Sequence, residues 1–482
     1  MHPFSIRAAS LLTAGLLFAP LSAATPNSGA AEDPSMILIR AERVIVRPGQ
    51  VLEDTCVLIV GDRIAQVASD IEAPDGAEVI DAPVVCAGFI DPWSTLGVTS
   101  GAVRDERVSA DTRTTDAFDP WDGFTRSRAL ESGVVALCIQ AGAAKGVRGL
   151  GAVISTSPGE DASSLVLLDD ANLGAVIGAT ERSTSSPSTS RFSRGRSMSR
   201  PVTTVRAADI FDRIGQVDKL VGELHDGLDY AEDLSKYRRE LAEWEAQIAE
   251  KQGELEEDFK KAKKDREKAV EKAKEDGKEH KDKSYKEDDR PKPPKPSSEK
   301  AVFARVANGE VPLVVIAHRS AELRELLIAT REYTRLRMII AGGTEAMSVA
   351  DELAERRIPV MVWPAPLGVG RPDEWDGHDL GLAGRLQAAG VPVLIGSGGA
   401  ATSHDLPLLA KLAIGHGLDR ETAFDALTYG AARAFDVADQ IGSVSRGRRA
   451  DLLVLDGEPL GPDTQIRHVL VGGRVVIDGG QQ

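Results

Sequence analysis

Six side chains in this sequence stand where acid–base chemistry is usually done. Asp91 ends an apolar run that starts at Val84, and His318 ends another that starts at Pro312. Glu345 and Asp351 follow a third run, Met338–Ile340, and His404 and Asp405 lie in a loop after Pro392–Ile395. Parallel α/β sheets deliver polar groups at the C-terminal ends of buried strands, so these six would supply a general acid and a general base if the fold brings them together. Asp91 and His318 are the candidate catalytic pair. Side chains alternate along a strand, so Ile316 and His318 share a face and His318 can point toward a central site.

Other chemistries lack their residues. His225 and His280 fall in a helical segment, His378 in a Gly/Asp loop and His416 between two glycines. One imidazole holds a metal poorly without partners, so these read as surface or cap residues. His404 alone is kept as a pocket residue near His318. No Gly-x-Ser-x-Gly or Walker phrase occurs, and Gly396-Ser397-Gly398-Gly399 lacks dinucleotide-loop spacing, so it reads as rim turns. Cys56, Cys86 and Cys138 are an odd count without Cys-x-x-Cys spacing, which excludes a disulfide framework and a thiolate metal site. They read as buried small hydrophobes, with one disulfide left open.

The elements that must position these groups follow from patterning. Short β-like runs at Val134–Ile139, Gly151–Ile154, Pro312–Ile316, Met338–Ile340, Pro359–Val362 and Pro392–Ile395 alternate with helical ones. That order predicts βα units and a parallel sheet, either a distorted barrel or a doubly wound sheet. Ile37–Val46, Cys56–Val60 and Arg63–Ala68 open the chain with a hairpin across Gly61-Asp62. Ala450–Leu455, Ile466–Val471 and Arg474–Ile477 close it with another across Gly472-Gly473.

Two insertions interrupt this pattern. Residues 183–205 form a Ser/Thr/Arg low-complexity loop carrying Arg191, Arg194, Arg196 and Arg200, read as solvated. Residues 207–296 hold a charged helical insertion, one long helix or a helical hairpin, and a Pro/Lys linker. Ile210, Ile214, Val217, Val221, Leu224, Leu228, Leu234, Leu241, Trp244, Ile248, Leu255 and Phe259 recur at helical steps. This apolar stripe, coiled-coil-like in spacing, needs a partner helix or a barrel face. Two readings stand: packing on the protein itself, or a protein partner.

The chain has 482 residues and a formal net charge of -16, which argues against a nucleic-acid role. Arg7, the apolar stretch Ala8–Leu21 and the small residues Ser22-Ala23-Ala24 read as an export signal over residues 1–24. The expectation is a periplasmic or secreted protein. The stretch is short for a membrane span of about 20 residues, although an uncleaved anchor stays an alternative.

Four phrases carry a resemblance. Gly88-Phe-Ile-Asp-Pro-Trp-Ser-Thr-Leu-Gly97 resembles a strand reading Gly-Phe-Ile-Asp-x-His-x-His-Leu-Gly. Pro312-Leu-Val-Val-Ile-Ala-His-Arg319 resembles Pro-Leu-x-Val-His-Ala-His-Arg, and Gly342-Gly-Thr-Glu-Ala346 resembles a strand end reading His-Gly-Thr-Glu-Ala. Ile441-Gly-Ser-Val-Ser-Arg-Gly-Arg-Arg-Ala-Asp-Leu-Leu-Val-Leu-Asp456 is the longest match. They resemble the amidohydrolase superfamily, with imidazolonepropionase- and dihydroorotase-like relatives.

The resemblance implies a distorted (β/α)8 TIM-type barrel over residues 87–435. Beside it would sit a small β-sandwich built from residues 37–86 and 436–482. It further implies a hydrolase of carbon–nitrogen bonds using a divalent metal such as zinc. The family's ligand positions here read Trp93, Thr95, Ser155, Ile316, Gly342 and Gly398, with His318 alone keeping its type. No cofactor is therefore expected, and Trp93 is expected to fill the metal space. Three functions follow: a metal-free protein binding a small molecule or a partner through the barrel mouth and helical insertion, an amide or cyclic-amide hydrolase with one weak metal or none, or a scaffold whose barrel is inert and whose helical insertion binds a partner.

Overall fold

The computed structural model describes residues 35–98, 108–141, 146–159, 161–178, 180–183, 203–206, 210–276, 290–364 and 379–479. The export signal, the low-complexity arginines, His280 and His378 lie outside them. Strands β1 (Met36–Arg47), β2 (Gln50–Val60), β3 (Arg63–Ala68) and β4 (Glu78–Ala87) open the chain. Barrel strands follow as β5 (Phe89–Ser94), β6 (Val134–Ile139), β7 (Gly146–Ser155) and β8 (Val166–Val176). A two-stranded hairpin, β9 (Thr180–Ser183) and β10 (Thr203–Arg206), brackets the low-complexity loop. The barrel resumes with β11 (Leu313–Ala317), β12 (Met338–Gly342), β13 (Val360–Val362) and β14 (Val393–Ile395). The chain ends on β15 (Leu452–Leu455), β16 (Ile466–Val471) and β17 (Arg474–Asp478).

Both chain ends share one sheet, in the order β17-β16-β15-β4-β1-β2-β3. This seven-stranded sheet is the small β domain built from both chain ends. Arg63 bridges to Arg449, and a Cβ on Gly473 would fall 1.9 Å from the Gly61 carbonyl oxygen, so the two hairpin turns meet. Ile39, Val44, Val57, Ile59, Val85, Leu452 and Leu470 fill its separate apolar core.

The barrel sheet runs β14-β13-β12-β11-β8-β7-β6-β5. Its ladders are parallel except around β7, which is antiparallel to both β6 and β8. The run Gly151–Ile154 is thus the far end of a longer strand whose direction is reversed. β8 escapes the sequence pattern because Asp169, Asp170, Asn172 and Gly174 break its apolar run, and Asp170 sits at φ 52°. Cys56, Cys86 and Cys138 are free thiols. Burial pushes the Cys86 and Cys138 thiols up, which keeps them unreactive.

One helix, Ile210–Asp276, makes up the insertion; at 1.5 Å per residue it is about 100 Å long. Val217, Leu220 and Leu224 are buried against the body of the protein. Beyond them Ala231, Leu234, Tyr237, Leu241 and Trp244 are half-buried. The proline segment covers them: Arg290 lies over the Trp244 ring at 5.7 Å, and the Ser297 amide donates to the Tyr230 hydroxyl at 3.4 Å. Fourteen helical steps span about 21 Å, and seven polyproline steps of about 3.1 Å span the same distance, so the two segments run antiparallel in register. Pro291, Pro294 and Ser297 are half-buried with exposed residues between them, the threefold period of a polyproline II helix. The stripe as far as Trp244 is therefore covered by the protein itself. Among the described residues no helix is long and apolar enough to cross a membrane.

The long helix meets helix Ser298–Ala307 most closely at Gly227, where a Cβ would fall 2.6 Å from the Ala304 amide nitrogen and 2.7 Å from Phe303 Cβ. In an exposed helix Gly→Ala gains about 1 kcal/mol, but overpacking against backbone costs about 1–3 kcal/mol. Gly227→Ala is expected to lower stability by about 1–2 kcal/mol in urea unfolding, against its helix propensity.

Candidate active site

The first and last barrel strands, β5 and β14, share no hydrogen-bonded ladder. A carboxylate joins them. Asp91 on β5 is fully buried, and its Oδ1 accepts the Ser397 amide at 3.0 Å and the Trp93 amide at 3.2 Å. The Ser397 hydroxyl donates to the Trp93 carbonyl at 3.1 Å, and the Ser94 and Ser403 hydroxyls pair at 2.8 Å. Burial pushes the Asp91 carboxyl up to about 6; the hydroxyl and amide of Ser397, the Trp93 amide and the Ser403 hydroxyl act against that shift. One oxygen of the candidate catalytic Asp91 thus helps close the barrel, while Oδ2 is buried without a hydrogen-bond partner.

Next to this seam the barrel interior is filled by rings. Trp93 is 3% exposed and packs against Trp363, with centroids 6.3 Å apart; Trp363 follows β13 and lies 5.9 Å from the His318 ring. The Arg148 guanidinium stacks over Trp93 at 5.0 Å and also donates to the Ala141 carbonyl. Gly396 and Gly398 make room for this packing: a Cβ at either would touch the Trp363 ring, at 3.2 and 3.5 Å. Ala136, Cys138, Val153, Val314, Ile339, Ala341, Met361 and Leu394 complete the interior layer, with Ile316 packed against it. Trp93 therefore packs inside the barrel.

His318 has its own seat. Its Nδ1 lies 2.8 Å from the Thr344 hydroxyl. Its backbone amide donates to Glu322, which also takes the Arg319 amide at 2.7 Å. Glu345 accepts the Ser320 amide at 2.8 Å and Arg319 Nη1 at 3.0 Å. Burial raises the Glu345 carboxyl, but these hydrogen bonds and the Arg319 charge outweigh it and hold it below the usual range. Gly342 explains why no second imidazole stands here. Its φ is +85°, and a Cβ would fall 2.3 Å from His318 Cε1.

The other candidates disperse. Ser155 ends the reversed strand β7 opposite Ala136, at the start of β6, and so lies at the opposite end of the barrel from the mouth. His404 pairs with its neighbour Asp405 at 3.5 Å, and Asp351 is exposed in the first turn of a helix. Thr95 is half-buried just beyond β5. Of the six acid–base groups, Glu345 joins His318 at its backbone turn, while Asp91, His404 and Asp405 make their described contacts elsewhere and Asp351 is exposed.

Sequence reading missed Arg148, Trp363, Gln140 and Asn172. The side-chain nitrogens and oxygens of Gln140 and Asn172 are buried without a protein partner. They crowd Gly151, whose Cβ would lie 1.8 Å from Gln140 Nε2 and 2.5 Å from Asn172 Oδ1. Polar residues facing glycines across strands were the available signal.

The superfamily's divalent metal does not fit the residues described. Among them no three His, Cys, Asp or Glu side chains come together. Asp91 Oδ2 is buried without a hydrogen-bond partner, but it stands as a single donor: Oδ1 is taken by two amides, His318 Nδ1 faces Thr344, and indoles and a guanidinium pack beside it.

Comparison with known proteins agrees with this architecture. Residues 378–476 match the model of the amidohydrolase family. An adenine deaminase from Rubrobacter xylanophilus is 33% identical over 76 residues; that match spans 16% of this chain and only 12% of the relative. An amidohydrolase from Thermotoga maritima superposes with a TM-score of 0.64 at 21% identity, over 92% of this chain and 100% of that one, which is a likeness of fold. The fold is thus that of an amidohydrolase barrel, and residues 378–476 carry sequence of the amidohydrolase family.

Two outcomes follow from the site. Asp91 binds its proton more tightly folded than unfolded, so its contribution to stability is complete below the ordinary carboxylate value and lost as pH rises through about 6. Asp91→Asn should abolish that slope, on the order of 3 kcal/mol between pH 4 and 7 in urea titrations. Gly342→Ala should displace the His318 ring and cost about 2 kcal/mol or more, since strain at positive φ adds to overpacking.

Proposed function

We propose that this is an exported member of the amidohydrolase superfamily that has given up metal hydrolysis and binds a small molecule at its barrel mouth. Its ancestry is among hydrolases of carbon–nitrogen bonds other than peptide bonds. The observation that carries this reading is the packed sequence Arg148–Trp93–Trp363–His318 in the barrel interior, where a metal-dependent hydrolase needs imidazoles, carboxylates and a water. A guanidinium and indole edges at a buried surface suit recognition of a small planar or anionic molecule. Export rests on the amino-terminal sequence alone.

The alternative, an amide hydrolase with one weak metal or none, keeps His318 as its acid–base group. It draws less support, because Glu345 and His404 are engaged with Arg319 and Asp405, and the open oxygen of Asp91 is buried beside Trp93. The scaffold reading is limited by the proline segment, which covers the helix stripe as far as Trp244.

Metal analysis after incubation with zinc or manganese and desalting separates these readings. The purified protein should retain far less than one equivalent, and His318→Ala should leave that amount unchanged. Stoichiometric metal that disappears in His318→Ala would overturn the proposal.

A further inference from the structure

A single buried carboxylate ties the insertion to the barrel mouth. Glu322 lies in the first turn of helix Ser320–Ala329 and is 1% exposed. One of its oxygens accepts the backbone amides of His318 and Arg319. The other accepts Nη1 of Arg213, from the first turns of the long helix, at 2.8 Å. Arg213 is itself buried, at 5% exposure. The Gln216 side chain one turn on exchanges hydrogen bonds with the Gly178 backbone, just past the C-terminal end of β8, so this end of the helix is fixed at the mouth.

His318 depends on this carboxylate for its place. The backbone turn from His318 to Ser320 is clamped between Glu322 on one side and Glu345 on the other, whose amide donates to the His318 carbonyl. Breaking a buried ion pair from one side leaves an uncompensated charge, which must recruit water or a proton. Either response changes the acceptor that holds the His318 amide.

We propose that Arg213 is a positioning residue through which the helical insertion sets the placement of His318, so that the insertion and the barrel mouth act as one unit. The coupling needs no ligand and stands or falls separately from the binding role above. It gives the insertion a function: a load or partner on the long helix is felt at the mouth.

The test uses the full chain labelled with [ε1-13C]histidine, whose eight histidines give a countable spectrum. His318→Gln identifies the His318 signal. In Arg213→Gln that signal should move, and carbethoxylation of the His318 ring should run several-fold faster, while His225 and His404 keep their shifts. Arg213→Lys, which restores a cation, should return part of both effects. Glu322→Gln still offers a carbonyl to the two backbone amides but loses the charge that holds Arg213. It should give an intermediate shift, and it carries the test if Arg213→Gln does not fold. An unmoved His318 signal in Arg213→Gln and Glu322→Gln, with the helical circular dichroism intact, would overturn the proposal. So would equal shifts at all histidines, the mark of general loosening.

Discussion

The barrel depends on the hydrogen bonds that cross from Asp91 to Ser397. A closed β-barrel normally owes its closure to a continuous ladder, and here the first and last strands have none. One carboxylate oxygen holding two backbone amides, supported by serine hydroxyls, takes over that work. A charged group is costly inside protein, and it persists where backbone amides need an acceptor that no neighbouring strand supplies. One oxygen is committed in this way, and the other, Oδ2, is buried without a hydrogen-bond partner.

The rest of the interior follows from the same economy of space. Trp93 takes the volume next to Asp91, Trp363 takes the volume next to Trp93, and the His318 ring stands over a glycine that admits no larger residue. Gly342 has no room for an imidazole, and Trp93 packs against both Trp363 and the Arg148 guanidinium. The apolar layers of the barrel are self-consistent without reference to any chemistry at its mouth.

Much of the fold was legible in the sequence, for local reasons. The terminal hairpins are marked by Gly61-Asp62 and Gly472-Gly473, and most parallel strands by continuous apolar runs. β8 was not legible, because two aspartates and an asparagine interrupt it. Nor was the direction of β7, since a buried strand looks alike read either way, and that reversal carries Ser155 to the wrong end of the barrel. Trp93 was readable from its place in a known phrase. Trp363, Arg148 and the pairing of Arg213 with Glu322 were not, since contacts 109 positions apart leave no periodic trace. The apolar stripe was visible, but a proline segment as its cover was not, because polyproline packing on a helix has no familiar sequence signature.

The sheet shared by the two chain ends bears on synthesis. β4 lies between β1 and β15, and its pairing with β15 joins Ala87 to Leu452. While the ribosome is still making the barrel, one edge of β4 lacks its native neighbour and presents unpaired backbone groups beside Val84, Val85 and Cys86. Such an edge is a template for pairing with other chains. The domain at the beginning of the chain is thus the last to be completed. Contacts of this sequence separation form slowly, which places the vulnerable interval between emergence of β4 and arrival of the final thirty or so residues. For this protein, holding that edge apart is a task for whatever accompanies the nascent chain.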